Sequence, residues 1–352
     1  MSNNRDIGFA VVGAGHIGRR HANIINGFSG ASLMAVVDID ENAKNHELYP
    51  TGIPFHTSLV PILENDEVEV VNICTPNGLH SDIAIECLAA GKHVVIEKPM
   101  GLSKAKCEEV IFKALNMSKQ VFVVKQNRYS PPSKWLKEVV SSDTIGKVEM
   151  VQINCYWNRD ERYYKVDHAT GERLGWKGSL DMDGGTLFTQ FSHFIDIMYW
   201  VFGDVKNIKA SFADFTHSRS TDFEDSGLVQ FEFVNGGLGC INFSTAVWDT
   251  NQESSITVIG EKGSLKIGGQ YMNEIEYCHI EDYTMPELPP TNPPNDYGPF
   301  KGSAANHHYV IENVVNTLRG RDTITANALE GLKIVDIIER IYKSRDLKAL
   351  KG

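Results

Sequence analysis

The sequence lacks the features of membrane-spanning, exported and nucleic-acid-binding proteins. No apolar run approaches the ~20 residues of a membrane span, and the polar start Met1–Asp6 leads into a predicted strand without the apolar core of a signal peptide. The formal net charge of −11 disfavours nucleic acids and anionic membranes as partners, because both attract a basic protein face. We therefore expect a cytoplasmic protein that binds neither.

Cysteine is scarce, and its spacing is not that of a metal site. The six cysteines form no C-x-x-C pair and mostly lie in apolar stretches, so we predict reduced, buried thiols and no metal centre. The global negative charge does not exclude an anionic small substrate, because a local pocket can have the opposite sign. A chain of 352 residues predicts two domains.

The first third of the chain alternates apolar strands with helices. Near-continuous apolar strands are typical of a parallel sheet that is covered on both faces, and Gly91 is suited to end the predicted helix Asp82–Ala90. This alternation predicts a doubly wound α/β domain. The predicted strands are Ile7–Val12, Leu33–Asp38, Val70–Thr75, Val94–Glu97 and Val121–Lys125.

The pattern changes after Arg128 to period-two alternation, which predicts a mostly antiparallel sheet with one open face. Turns are expected at Asn235-Gly236 and at Glu261-Lys262-Gly263. The proline-rich segment Pro286–Pro299 is expected to lack regular structure. Two domains follow, residues 1–128 and 129–352. The predicted elements of the second are helices Ser133–Val140, Ala305–Leu318 and Ala326–Lys343, and strands Lys147–Trp157, Asn207–Phe215, Leu228–Val234, Leu238–Val247, Ser255–Ile259, Ser264–Ile267 and Glu274–Ile280.

A glycine-rich loop, G-x-G-x-x-G, joins the first predicted strand to a helix. The first glycine permits the tight turn, the second lets the backbone approach a pyrophosphate, and the third lets helix and strand pack closely. Asp38 ends the second strand, where a carboxylate binds ribose hydroxyls and repels a 2′-phosphate, so the pattern favours NAD over NADP. The predicted contacts of the loop are Gly13, Gly15, His16, Ile17 and Gly18.

Two further motifs lie at the ends of the predicted strands Val70–Thr75 and Val94–Glu97. Ligands of open α/β sheets bind outside the carboxyl ends of the strands, so both motifs are expected on the cofactor side. The lysine of the second motif is followed by proline, which favours an extended backbone and could aim the ammonium at nicotinamide and substrate. The residues concerned are Thr75, Pro76, Asn77 and His80, and then Glu97, Lys98 and Pro99.

These motifs, with the run Ala89–Val94, the pair Asn127-Arg128 and Pro131, resemble the Gfo/Idh/MocA oxidoreductases over essentially the whole chain. The resemblance implies an N-terminal Rossmann domain and a C-terminal α/β domain with an open, mostly antiparallel sheet. It also implies a bound nicotinamide cofactor and hydride transfer at a sugar or polyol hydroxyl. Homodimers or homotetramers through the open sheet are implied as well.

A helix predicted at Thr186–Phe202 is apolar nearly all round and is therefore expected to be buried. His193 on it matches the family's signature histidine, which implies a general base, with Lys98 stabilising the developing negative charge. The family pattern D-x-x-x-H-x-x-D has Thr189 at its first aspartate. Either Thr189 or Gln190 orients His193 through a neutral hydrogen bond, or the proton leaves by another route.

The departure at Thr189-Gln190 narrows the resemblance to a sugar-nucleotide branch that oxidises C3 of UDP-N-acetylglucosaminuronate. In this branch NAD is often reoxidised by 2-oxoglutarate. Other motifs that carry this resemblance are Trp157, Tyr163-Tyr164, Trp176-Lys177-Gly178, Asn273-Glu274-Ile275 and Asn306-His307-His308. The candidate substrate contacts are Arg128, Tyr163, Trp176, Lys177, Thr189, Gln190, Asn306 and His307.

Two other functions remain open at this point. One is a dehydrogenase for free inositol or a simple sugar, against which the missing aspartate at position 189 counts. The other is a non-catalytic, nucleotide-binding regulator on the same fold, since a fold does not imply a function. Such a regulator would be expected to lose Lys98 or His193, and both are present.

Overall fold

The computed structural model describes residues 5–167, 169–170 and 172–345, and the backbone of 350–351. The predicted polar start Met1–Asp6 lies mostly outside this part. The strands are β1 Ile7–Val12, β2 Ala31–Val37, β3 Phe55–His56, β4 Val70–Ile73, β5 His93–Ile96, β6 Val121–Val123, β7 Val148–Tyr156, β8 Val205–Asp214, β9 Ser226–Phe233, β10 Leu238–Ser244, β11 Glu253–Gly260, β12 Gly263–Gly268, β13 Glu274–Ile280, β14 Pro294–Tyr297, β15 Phe300–Ala304 and β16 Leu350–Lys351.

The α-helices are α1 His16–Gly27, α2 Val60–Leu63, α3 His80–Ala89, α4 Lys104–Asn116, α5 Pro131–Ser141, α6 Glu161–Tyr164, α7 Leu180–Asp183, α8 Ser192–Phe202, α9 His307–Leu318 and α10 Ala328–Lys343. The chain divides into two compact units. The first unit is Met1–Lys125 with His307–Val335, and the second is Gln126–Asn306 with Asp336–Gly352. The predicted linear division at residue 128 differs from this, because α9 and part of α10 return to the first unit.

The first unit contains a six-stranded sheet in the order β3-β2-β1-β4-β5-β6, with every recorded pair parallel. This confirms the predicted doubly wound α/β fold. All six residues of β1 are buried, as expected when helices cover both faces of a sheet. Strand β3 was missed, since two residues give no periodic signal. Gly91 follows α3 with a φ of +76°, which confirms its predicted place at the helix end.

The second unit contains an eight-stranded sheet in the order β13-β12-β11-β7-β10-β9-β8-β16. Its pairs are antiparallel except β7 with β10 and β8 with β16, so the predicted mixed, mostly antiparallel sheet is confirmed. The turn between β9 and β10 uses Gly236 and Gly237 at positive φ, 99° and 92°. Side chains with a β-carbon adopt such angles at a cost, which explains why glycine follows Asn235.

One face of this second sheet is open. Met150, Leu238 and Ile259 lie side by side in the strand register and are 44%, 55% and 43% exposed. On the opposite face, Trp157 at the end of β7 packs edge-on against Phe191 and Phe194, with ring centroids 5.6 and 5.7 Å away. The helix that contains Phe194 thus packs on the buried face, while Met150, Leu238 and Ile259 form an exposed apolar row on the open face.

The proline-rich segment was predicted to be irregular, and this is wrong for its second half. β14 and β15 form a two-stranded antiparallel hairpin, with Asp296 opposite Lys301 and Tyr297 opposite Phe300. Pro294 is tolerated because it is the first residue of a strand that pairs on one side only, where a missing N–H costs no ladder bond. The segment before it has no regular structure, as predicted.

All six cysteines lie within the described residues as unbridged thiols, four of them buried and two partly so, which confirms the prediction of reduced thiols. Within the described residues, no helix reaches the length and hydropathy that crossing a bilayer demands.

Candidate functional site

The glycine loop of the first unit has the geometry that its spacing predicts. Gly13 has a φ of +95°, and a β-carbon there would lie 2.5 Å from the carbonyl oxygen of Cys74. A β-carbon at Gly18 would collide with the carbonyl of Gly13. Gly15 is different, because its β-carbon would meet nothing within 4 Å. Two glycines therefore serve packing inside the protein, whereas Gly15 keeps a space open outside it.

That space lies at the start of α1, and the backbone N–H groups at a helix N-terminus can bind an anion. Gly15 is the N-cap of the helix and no side chain caps it. The residue before it, Ala14, donates its backbone N–H to Asp38 Oδ2 at 2.6 Å. The second carboxylate oxygen accepts from the backbone N–H of Asp40 at 2.9 Å. Asp38 is thus fixed beside the loop, and the pair fits the pyrophosphate and ribose of NAD.

Replacing Gly15 with alanine should weaken NAD binding by about tenfold without destabilising the fold, because the new methyl group occupies only the open space. Gly18→Ala is the matched variant, since its methyl group meets backbone inside the protein and should lower the free energy of unfolding by ~1–3 kcal/mol. Calorimetric titration with NAD and thermal denaturation separate the two effects. Undiminished NAD affinity in Gly15→Ala would contradict the placement of the pyrophosphate.

The two motifs after β4 and β5 are tied together by His80. Its ring nitrogens lie 2.8 Å from the carbonyl oxygen of Thr75 and 2.7 Å from that of Pro99. Burial lowers the pKa of His80, and the hydrogen bonds to the two carbonyls oppose this shift. The neutral ring can donate to only one carbonyl at a time. His80 therefore joins the loops that carry Asn77 and Lys98.

Glu97 is the centre of a buried cluster that sequence analysis did not predict. His21 on α1 donates Nε2–H to Glu97 Oε1 at 3.0 Å, and His307 Nε2 lies 3.4 Å from the same oxygen. The other oxygen accepts the backbone N–H of Lys98 at 3.0 Å. Asn72 donates to His21 Nδ1 at 2.9 Å, which fixes the proton of the ring on Nε2.

These hydrogen bonds keep Glu97 ionised. Burial alone would raise the pKa of Glu97, but the hydrogen bonds from His21 and His307 lower it well below its usual range. Burial lowers the pKa of His307 to about 4, so this ring is neutral at pH 7. One side-chain nitrogen or oxygen of each of His21, Glu97 and His307 lies within 4.8 Å of the other two. The cluster thus places a negative charge directly behind the backbone of Lys98.

In the second unit, the helix that carries His193 is not α-helical throughout. Residues Leu187–Phe191 form a π-helical turn before α8 begins, so the predicted helix Thr186–Phe202 is present but changes from π to α at Ser192. A π-turn has more residues per turn than an α-helix. Thr189 and His193, four residues apart, are therefore not related by one α-helical turn. Such turns are frequent at functional sites. His193 itself is buried, with 6% of its surface exposed.

Gln126, which sequence analysis missed, contacts His193. The amide Nε2 of Gln126 lies 3.3 Å from His193 Nε2. The amide of Gln190, one of the two proposed orienting groups, accepts instead from Arg159 Nε at 2.8 Å and donates to the hydroxyl of Tyr163 at 3.0 Å. No sequence signal marked Gln126, because it lies 67 residues from His193.

Other candidate substrate residues of this unit have protein partners. Arg128 forms a two-pronged ion pair with Asp196, through Nε at 2.9 Å and Nη2 at 2.8 Å, and both side chains are only 1% exposed. Asn306 donates to the carbonyl of Gln126 at 3.2 Å and to Ser130 Oγ at 3.0 Å. Lys177 and Trp176 are partly exposed, and the ammonium of Lys177 lies 3.8 Å above the ring of Tyr163.

Comparison with family models agrees with this description. A model described as an oxidoreductase family with an NAD-binding Rossmann fold matches residues 7–125. A model of the Gfo/Idh/MocA C-terminal domain matches residues 134–266. The first match covers the glycine loop, Asp38 and Lys98, and the second covers Arg159, the π-turn and His193.

Two solved structures resemble the whole chain. The WlbA dehydrogenase of Bordetella pertussis, in complex with NADH and UDP-GlcNAcA, has a TM-score of 0.84 and 30% identity, covering 97% of this chain and 96% of that one. WlbA of Chromobacterium violaceum, with the same ligands, has a TM-score of 0.84 and 33% identity, covering 97% and 94%. Myo-inositol 2-dehydrogenase of Thermotoga maritima is 28% identical over 264 residues, covering 72% of this chain and 73% of its own.

Proposed function

The chain belongs to the Gfo/Idh/MocA oxidoreductase family and its first unit carries an NAD-binding Rossmann fold; from this premise we propose that it oxidises a sugar-nucleotide hydroxyl, at C3 of UDP-GlcNAcA. The observation that carries the proposal is the likeness to two dehydrogenases solved with UDP-GlcNAcA, at 30% and 33% identity over 97% of the chain. Thr189 and Gln190, in place of the usual aspartate, support the same branch.

The proposed cofactor site lies in the first unit. The loop Gly13–Gly18, including His16 and Ile17, would hold the pyrophosphate, and Asp38 would hold the ribose. The loops after β4 and β5 would complete the site through Thr75, Pro76, Asn77, His80, Glu97 and Lys98. When bound, NAD accepts the hydride from the carbon that is oxidised.

His193 and Lys98 carry the proposed proton chemistry. His193 takes the proton of the C3 hydroxyl as general base, so the oxygen can form a carbonyl as the hydride leaves. Lys98 donates a hydrogen bond to the same oxygen and stabilises its negative charge in the transition state. Glu97 is a positioning residue, since its carboxylate fixes the backbone N–H of Lys98. The amide of Gln126, which lies 3.3 Å from His193 Nε2, would help to orient the ring of His193.

The second unit is proposed to bind the sugar nucleotide and to form the assembly. Its open sheet, with the apolar row at Met150, Leu238 and Ile259, would associate in a homodimer or homotetramer. The proposed substrate contacts are Arg128, Tyr163, Trp176, Lys177, Thr189, Gln190 and Asn306, with His307 from the first unit. Arg128 and His307 are occupied by Asp196 and Glu97, so any effect of theirs on substrate is expected through those partners.

The deciding experiment incubates the purified protein with NAD, UDP-GlcNAcA and 2-oxoglutarate. The expected products, detected by mass spectrometry, are a sugar nucleotide lighter by two hydrogens and an equal amount of 2-hydroxyglutarate, which carries the two electrons away. Formation of the keto sugar with NADH and without 2-hydroxyglutarate would retain the dehydrogenase but reject 2-oxoglutarate as oxidant. No oxidation of UDP-GlcNAcA would refute the proposal.

Inositol oxidation is the second candidate function, because the Thermotoga myo-inositol 2-dehydrogenase matches 72% of the chain. Turnover of myo-inositol without turnover of UDP-GlcNAcA would favour it. Its identity of 28% and shorter coverage make it the weaker candidate.

A further inference from the structure

A buried arginine in the second unit, Arg159, has no acidic partner in the described part of the chain. Arg159 follows β7 and is 2% exposed. Its hydrogen bonds go to neutral oxygens, namely those of Gln190 at 2.8 Å, of the Asn158 backbone at 2.5 Å, of the Asn251 amide at 3.2 Å and of the Lys301 backbone at 3.1 Å. Within the described residues, no carboxylate comes within ion-pair distance of this guanidinium.

Aromatic rings surround the same guanidinium without neutralising it. Its central carbon lies 4.7 Å from the ring centroid of Trp157, 5.1 Å from that of Tyr163 and 5.6 Å from that of Phe300. Burial lowers the pKa of Arg159, but a guanidinium stays protonated in proteins. An uncompensated buried charge is unfavourable. At Arg128 this cost is avoided, because Asp196 pairs with the guanidinium. Among the described residues, no carboxylate does the same for Arg159.

A second cation and a phenol stand next to Arg159. The ammonium of Lys177 lies 3.8 Å above the ring of Tyr163, whose hydroxyl accepts from Gln190 and keeps its own proton available as a donor. Burial would raise the pKa of Tyr163, but Lys177 and Arg159 lower it below its usual value. Asp183 is the carboxylate that opposes this shift, and it accepts the backbone N–H of Gly178 at 2.6 Å.

We propose that Arg159, Tyr163, Lys177 and Gln190, the cationic cluster, bind an anionic oxygen group of the substrate, and that this group is the carboxylate on the sugar ring. The inference rests on the proposed function. Gln190 precedes His193 by three residues, so the cluster lies within about one helical turn of the proposed base. A carboxylate on the ring being oxidised fits this short separation. The diphosphate of the nucleotide is the other source of such oxygens, and the test separates the two.

The test compares ligands that differ only in the carboxylate. UDP-GlcNAcA and UDP-GlcNAc share the diphosphate, and both are titrated into the NAD-loaded protein by calorimetry. Lys177→Met and Tyr163→Phe should weaken UDP-GlcNAcA binding about 10- to 100-fold, the loss expected for a charge-assisted hydrogen bond, and leave UDP-GlcNAc binding unchanged. Lys209→Met, an exposed lysine of β8, is the matched control and should change neither affinity.

Each of the other possible results contradicts one part of the proposal. Equal weakening for both ligands would show that the cluster binds the diphosphate and would overturn the carboxylate assignment. Unchanged affinity for both in Lys177→Met and Tyr163→Phe would refute the cluster as an anion site. If the unaltered protein bound no UDP-sugar, the proposed function would fail separately. The cluster is then tested with glucuronate against glucose, and equal affinities for these two would refute it.

Discussion

Replacing His193 with asparagine is expected to lower turnover of UDP-GlcNAcA by about 10²- to 10⁴-fold, the usual contribution of a general base. Asparagine is smaller than histidine and its amide ends at the δ positions of the ring, so the contact between Gln126 and Nε2 is lost while the backbone of α8 should be retained. It cannot take the proton of the sugar hydroxyl at neutral pH. NAD affinity should be unchanged, because the glycine loop and Asp38 belong to the other unit.

The measurement combines initial rates with NAD titration and thermal denaturation. His279→Asn is the matched control, since His279 lies exposed on β13 and should keep the full rate. A near-normal rate in His193→Asn would remove His193 from the mechanism. Lost NAD binding, or a large fall in unfolding temperature, would instead assign the buried ring a structural role.

Replacing Lys98 with methionine should lower turnover by about 10²- to 10³-fold, the size of effect seen when one donor to a developing oxyanion is removed. Methionine keeps the length of the side chain, and the backbone N–H of Lys98 still meets Glu97. The loss should therefore fall on the rate of the chemical step, with little change in the affinity for UDP-GlcNAcA.

Single-turnover kinetics measures that step directly. Lys113→Met, on the partly exposed face of α4, removes a similar charge from the same unit and should leave the rate unchanged. If Lys98→Met raised only KM for UDP-GlcNAcA, Lys98 would be a substrate-binding residue. In that case the charge of the oxygen must be stabilised by another group.

Glu97→Gln would report on the positioning role through the same kinetics. Glutamine can accept the Lys98 N–H through its oxygen but has no charge, and its NH2 group would then face Nε2 of His21 and of His307. Comparing the rates of Glu97→Gln and Lys98→Met therefore separates the effect of the Glu97 charge from that of the Lys98 ammonium.

Local sequence patterns were sufficient to predict most of the fold. The strands of both sheets follow from apolar runs and period-two alternation, because burial on one or both faces is written into neighbouring residues. The turn at Asn235-Gly236 and the helix end at Gly91 follow from backbone conformations that favour glycine. The hairpin Pro294–Ala304 could not be predicted, because its proline signals disorder until the pairing strand is known.

The candidate site residues divide in the same way. Gly13, Gly15, Gly18 and Asp38 were identified because phosphate binding depends on the backbone within one short segment. Arg159 was missed because the run Asn158–Arg162 has the composition of a solvent-exposed loop. Only packing shows that its guanidinium is buried among aromatic rings. The π-turn before His193 is likewise decided by packing, since the residues there have no distinctive pattern.

The sequence by itself determined the two sheet types, the glycine loop with its preference for NAD, and the family to which the chain belongs. The tertiary structure decided which groups meet across long separations. It placed His307 beside Glu97, Asp196 beside Arg128 and Gln126 beside His193. Among the described residues, it surrounded the Arg159 guanidinium with neutral oxygens and no carboxylate. The physical reason is that hydrogen bonds and ion pairs act over a few ångströms in space, whatever the distance along the chain.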